Sequence, residues 1–124
     1  MIKIFIASDH AGTERKKEII QWLEQQIYKS IFSANFEIND LGPSDTQSVD
    51  YPDYANKVCN SISPSTDDTT VGILICGSGQ GMAMRANKFA HIRAALCWNE
   101  ESATLSREHN NANVLCFGSR MLTL

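Results

Sequence analysis

Val71 to Met84 reads V-G-I-L-I-C-G-S-G-Q-G-M-A-M, and the reading of this stretch decides the fold. Val71, Ile73, Leu74 and Ile75 form a short apolar run, the pattern of a strand buried on both faces. Cys76 falls where that strand should end. Gly77, Gly79 and Gly81 then alternate with Ser78 and Gln80, and Met82 opens a helix-compatible run through Met84 to Phe89. A strand that passes through three glycines into a helix gathers backbone N–H groups in a concave row, and the positive end of the helix dipole reinforces them. Such a cradle favours an anion. The glycines alone would equally serve an ordinary tight strand-to-helix turn.

The flanking sequence repeats the alternation. Ile2 to Ser8 reads as a first strand, and Asp9-His10-Ala11-Gly12 turns into a helix starting near Thr13. Ile20, Leu23, Ile27 and Ile31 follow at helical spacing, with Glu14, Lys16, Lys17 and Glu24 expected on the wet side. Asn35 to Leu41 reads as a second strand, and Ser44 to Asp50 as a loop. Tyr51-Pro52-Asp53 starts a helix, since proline and an acid both suit a first turn. It fades at Ser63-Pro64, and a hydrophilic linker from Ser65 to Thr70 leads to the central strand. Ile92 to Cys97 reads as a fourth strand. Asn99 caps a helix through about Glu108, and Asn113 to Phe117 makes a fifth strand. The expectation is an α/β fold, a three-layer α/β/α sandwich around a five-stranded parallel, Rossmann-like sheet. Met121 to Leu124 look like the start of a further helix, so a longer chain or a partner is expected to cover strand five.

A chain of 124 residues suffices for one domain, taken as residues 1–124. Its net charge of −3 supplies no basic footprint, which excludes nucleic acid as an expected partner. The apolar N-terminus is too short for a signal peptide and is interrupted by Lys3; no stretch reaches membrane-span length. A cytoplasmic protein without a membrane partner is expected. Cys59, Cys76, Cys97 and Cys116 lie mostly in strand-like runs, which points to reduced thiols rather than a disulfide framework. With no C-x-x-C and no His pair at i,i+4, no metal site is expected.

Ligands of open parallel sheets bind beyond the carboxyl ends of the strands. That rule collects Asp9, His10, the Gly42–Tyr51 connection, Cys76 to Gly81, Trp98, Asn99 and Gly118 to Arg120. The G-x-G-x-G spacing is neither a dinucleotide fingerprint nor a P-loop. Cys76 differs from Cys97 in its neighbourhood, because only Cys76 precedes the donor-rich loop. A thiol at a helix N-terminus ionises more readily and can serve as base or nucleophile. Cys59 and Cys116 are assigned to packing, as are Trp22 and Trp98, and His91 to the surface. Asp9 and His10 could also simply cap the first helix. His109 and Asn110, at the far end of the fourth helix, should face away from this edge and reach the site of a second subunit.

Taken together, the motifs resemble those of the ribose-5-phosphate isomerase B family, which includes galactose-6-phosphate isomerase subunits. The matching segments are A-S-D-H-A-G (Ala7–Gly12), D-Y-P-D-Y-A (Asp50–Ala55), L-I-C-G-S-G-Q-G-M (Leu74–Met82), A-N-K (Ala86–Lys88), I-R-A-A-L (Ile92–Leu96), S-R-E-H-N-N-A-N-V-L (Ser106–Leu115) and F-G-S-R (Phe117–Arg120). They run in order over nearly the whole chain. The resemblance implies a cofactor-free aldose–ketose isomerase of the pentose phosphate pathway acting on a sugar phosphate, ribose 5-phosphate to ribulose 5-phosphate. It implies Cys76 as the base, His109 as the ring-opening residue, and Ser78 with the N–H groups of Gly77, Gly79, Gln80 and Gly81 around the enediolate oxygen. Asp9, His10, Tyr51, Asn110 and Arg120 would contact substrate. Some family members use a glutamate further along the loop as base; Met82 stands there in this chain, which favours the cysteine version. A homodimer, or dimer of dimers, with shared active sites is implied. The family continues into a helix bearing phosphate-holding arginines, which the domain as read here lacks. Alternatives are an isomerase of galactose or allose 6-phosphate, and a non-catalytic sugar-phosphate-binding subunit.

Overall fold

The alternation of apolar runs and amphipathic stretches resolves into five strands and four α-helices among the described residues. The computed structural model describes residues 2–28, 35–45, 47, 49–64 and 69–120. In order these form β1 (Ile2–Ser8), α1 (Thr13–Tyr28), β2 (Phe36–Asp40), α2 (Tyr51–Ser61), β3 (Thr70–Cys76), α3 (Gln80–Ala86), β4 (Ala94–Leu96), α4 (Glu100–Asn110) and β5 (Val114–Gly118). A 3₁₀ turn, His10–Gly12, precedes α1. All strand pairs are parallel, in the order β2-β1-β3-β5-β4.

The apolar run of β3 is explained by its place at the centre. Leu74 and Cys76 face one cluster, with Ala7 and Cys116 from the neighbouring strands and Val58 and Met82 from α2 and α3. Ile73 and Ile75 face the other cluster, with Ile6, Phe117 and the α1 residues Ile19 and Ile20. Both faces are therefore apolar, as a strand covered on both sides requires. The direction of chain travel reverses after β2 and again after β4. Right-handed crossovers then place α1 and α4 on one face and α2 and α3 on the other, which is the expected three-layer α/β/α arrangement. Helix α4 starts at the predicted cap: Asn99 Oδ1 accepts from Ser102 N at 2.7 Å, and Ser102 Oγ accepts from Asn99 N at 3.3 Å.

Several boundaries and burials differ from the sequence reading. Helix α3 begins at Gln80 rather than Met82, because Gly79 in a left-handed conformation (φ 83°) already caps it. It stops at Ala86, short of Phe89, where Phe89 N–H turns back to Ala86 O. β4 is shorter than Ile92–Cys97, since the Arg93 N–H bonds the Asn113 side chain at 2.8 Å. Helix α4 runs past Glu108 to Asn110, and Asn111 (φ 49°) ends it. Trp22 and Trp98 are 49% and 61% exposed rather than packed. His91 is partly buried, with Nε2 2.8 Å from Cys59 O. Lys16, expected in water, is 0% exposed. Ile31, the linker residues 65–68 and Met121 to Leu124 lie outside the described residues.

The α4 face is thinly covered. Helix α4 contributes no fully buried residue, and a groove of about 380 Å³ lies along the sheet there, lined by Ile2, Phe36, Val71, Ile73, Ala103 and Leu115 among others. No helix of the described residues is long and apolar enough to cross a membrane.

Two outcomes follow from the packing. A Cβ on Gly72 would come within 2.6 Å of Val58 Cγ1 and 3.0 Å of Ile62 Cδ1, so Gly72→Val should lower the unfolding free energy in urea by about 1–3 kcal/mol; an unchanged midpoint would contradict this β3–α2 contact. Burial pushes the Cys59 thiol up to about 11, against a lowering pull from Arg85. Burial also pushes Cys116 up, reinforced by the thiols of Cys59, Cys76 and Cys97. The folded chain thus keeps protons that unfolded thiols lose from about pH 8.5. Since the native state then binds more protons, stability should fall as pH rises from about 8.5 towards about 11. Cys59→Ala/Cys116→Ala should flatten that limb of a urea-midpoint profile against pH.

Candidate active site

Cys76 is the last residue of β3, and only 6% of it is exposed. Its sulfur accepts a hydrogen bond from Gly79 N at 3.1 Å. The loop reaches this shape through two close approaches. Gly79 takes a positive φ, and a Cβ there would meet Leu96 Cδ1 and the Phe117 backbone at 2.7 Å. Gly118, closing β5, lies so near the loop that a Cβ would come within 2.6 Å of Gly77 O. Two further bonds join the strand ends, Ser119 N to Cys76 O at 2.8 Å and Arg120 N to Gly77 O at 3.2 Å.

The loop is flanked on both sides. A methyl group on Gly77 would come within 2.8 Å of Arg120 Nη1, so the guanidinium rests against that residue. A methyl on Gly81 would come within 2.8 Å of Tyr51 Cε1, which places the α2 phenol ring over the start of α3. Ser78 and Gln80 are exposed, and Gln80 N approaches Ser78 Oγ at 3.4 Å. Among the described residues, the N–H groups of Gly77, Ser78, Gly81 and Met82 meet no acceptor. They remain available to a ligand.

Asp9 leaves the neighbouring β1 at the same level, since Ser8 is in register with Ile75 and Asp9 N donates to Ile75 O at 3.0 Å. Its carboxylate accepts from Ala11 N at 2.9 Å, so the capping role is present. His10 is exposed, and its Nδ1 lies 3.2 Å from Val49 N and 3.3 Å from Val49 O. The structure therefore gathers Asp9, His10, Tyr51, Cys76, the loop from Gly77 to Gly81 and Arg120 along one edge of the sheet. It does not bring His109 and Asn110 there. Both are exposed in the last turn of α4, and eleven residues of helix carry the chain about 16 Å back from the β4 exit. Among the described residues, no three His, Cys, Asp or Glu side chains are grouped to hold a metal ion.

Two contributions lie outside the sequence reading: the burial of Lys16 and the close backbone approach at Gly118. Lys16 sits four residues before Ile20 and seven before Leu23, on the apolar stripe of α1, and that spacing was the available signal. For Gly118, no pattern in the sequence announces a close backbone approach between strands.

Comparison with known proteins agrees with this fold. The profile of the Ribose/Galactose Isomerase family matches residues 4–124. The ribose-5-phosphate isomerase B of Escherichia coli K12 is 42% identical over 124 residues, all of this chain and 76% of the relative. The solved structure of Clostridium thermocellum ribose-5-phosphate isomerase B superposes with a TM-score of 0.86 at 41% identity, covering 99% of this chain and 76% of the other. The Mycoplasma genitalium ribose-5-phosphate isomerase B, solved with bound ribulose-5-phosphate, gives a TM-score of 0.85 at 43% identity, covering 98% and 75%. On the profile, the sequence identity and the shared five-stranded parallel sheet together, this chain belongs to the ribose/galactose isomerase family, in its ribose-5-phosphate isomerase B branch.

Proposed function

We propose that this chain interconverts ribose 5-phosphate and ribulose 5-phosphate, with Cys76 as the base. The observation that carries the reading is the Gly79 N–H on the Cys76 sulfur, beside backbone donors that no group of the described chain uses. Isomerisation next to a carbonyl needs a base for the C2 proton and preorganised donors for the oxyanion that develops as it leaves. The Cys76 thiolate takes the proton from C2 of the open-chain aldose. The electron pair of that C–H bond moves into the C1–C2 double bond, and charge appears on the former aldehyde oxygen. The N–H groups of Gly77, Ser78 and Gly81, which meet no acceptor among the described residues, hold that oxygen. The thiol then returns the proton to C1 as the ketose carbonyl forms at C2, with a proton exchanged between the two oxygens. No electrons enter or leave, and no cofactor is needed for the balance.

Asp9, His10 and Tyr51 line the sugar side in this reading, and Arg120 supplies a cation beside Gly77. His109 opens the furanose ring, with Asn110 next to it, from a second subunit, because a single chain holds them at the opposite edge. The active unit is then a homodimer with shared sites. The matching family covers galactose as well as ribose isomerases, so comparison of kcat/KM for ribose, allose and galactose phosphates assigns the chain length of the sugar. All four cysteines are free and buried, which supports a reducing, cytoplasmic setting.

In solvent deuterium, the wild type should place label on the substrate carbon, and Cys76→Ala should lose about a hundredfold or more of that exchange. Near-normal turnover in the variant would remove Cys76 as base. Cys76→Ala and His109→Ala should each be inactive alone. Mixed in equal amounts and allowed to exchange subunits, they should regain about a quarter of the wild-type sites, because each hybrid dimer rebuilds one complete site. Absence of any recovery in verified hybrids would refute the shared site.

A further inference from the structure

We propose that Lys16 is a positioning residue for this site, acting through the connection from β2 to α2; the proposal rests on the isomerase reading above. Lys16 is fully buried, yet it belongs to no step of the chemistry. Its Nζ lies 2.6 Å from Asp40 Oδ1 and 2.6 Å from Pro43 O. The same carboxylate oxygen accepts from Gly42 N at 2.9 Å. A buried ammonium is costly unless it is paired and hydrogen-bonded, so the β2 exit is held where Lys16 finds both acceptors.

Lys16 is one of three anchors. His10, Thr13 and Lys16 are spaced three apart, and they meet Val49, Asp45 and Pro43, which is the reverse order along the connection. Thr13 Oγ1, also buried, lies 3.0 Å from Asp45 O and 3.2 Å from Asp9 O. His10 Nδ1 closes the series at Val49. The first turns of α1 and the segment leading to α2 are therefore fastened antiparallel to each other. Two groups assigned to the sugar depend on that fastening. Tyr51 is the first residue after the connection and reaches Gly81 from it. Val49 also holds the His10 ring, because Nδ1 lies within reach of the Val49 N–H and carbonyl and accepts from the first or donates to the second according to tautomer. Lys16 fixes the root of this segment without touching the ligand.

Lys16→Met keeps the apolar stem and removes the ammonium. In the folded variant, the ring-nitrogen NMR shifts of His10 should move away from their wild-type values as the Nδ1 contact with Val49 loosens. KM for ribose 5-phosphate should rise about tenfold, within what a displaced positioning group costs, while kcat changes less because the Cys76–Gly79 contact lies on β3. A lysine with a merely structural role would lower the urea midpoint and leave the His10 shifts and KM at wild-type values, and that result overturns the proposal. If Lys16→Met does not fold, Thr13→Val removes the next anchor isosterically, and the same two readouts decide. If the wild type fails to isomerise ribose 5-phosphate, the isomerase reading falls, and the His10 shifts, which need no substrate, still test the positioning.

Discussion

The close approach of the β5 exit to the loop after β3 is the constraint on which the site depends. With no side chain on Gly118, the Gly77 carbonyl and the Ser78 backbone come down onto the end of the sheet. Gly79, pressed against Phe117 and Leu96, can then take the positive φ that turns its N–H back to the Cys76 sulfur. The same approach lets Arg120 N–H reach Gly77 O and rests its guanidinium on that residue. The contact on the Cys76 sulfur and the place of the Arg120 backbone beside Gly77 are thus one consequence of backbone packing. This is the kind of preorganisation that stabilises a developing oxyanion without reorganisation during the reaction.

The parallel sheet imposes a second constraint. Every crossover helix must return from the carboxyl edge to the amino edge, so a residue at a helix C-terminus stands opposite the strand exits. His109 and Asn110 are in that position. Their helix end is firmly stitched: Arg93 Nε donates to Asn110 O at 2.5 Å, Arg107 Nη1 to Ala112 O at 2.5 Å, and Asn113 Nδ2 to His91 O at 3.0 Å. The exposed His109 thus stands on the edge opposite the strand exits of its own chain, and this is the physical ground for proposing that sites are shared between copies.

The sheet was legible because its signals are local. β3 reads as buried on both faces from four apolar residues, Asn99 before Glu100 and Glu101 announces α4, and Pro52 in the first turn announces α2. The edge gathering Asp9, Cys76 and Arg120 followed from topology alone once the strands were placed. What stayed illegible depends on contacts between segments distant in sequence. Tyr51 against Gly81 and Gly118 against Gly77 leave no periodic trace. Trp22 and Trp98 were assigned to packing from their size, but burial is set by which face of the helix or loop a neighbour covers.

Lys16 shows where binary patterning misleads. Its spacing from Ile20 and Leu23 places it on the buried stripe, and its charge places it in water; the two signals conflict. The structure resolves the conflict with two acceptors held at the same point, Asp40 and Pro43. An apolar side chain of similar length could fill that space, and replacing a buried ion pair in this way often leaves stability unharmed. It could not bind a carboxylate and a carbonyl at once, and so could not fix where the chain leaves β2. A polar group retained on an apolar stripe is therefore better explained by the register it imposes on its neighbours than by the stability it adds. In this chain, the segment given that register runs directly to Tyr51.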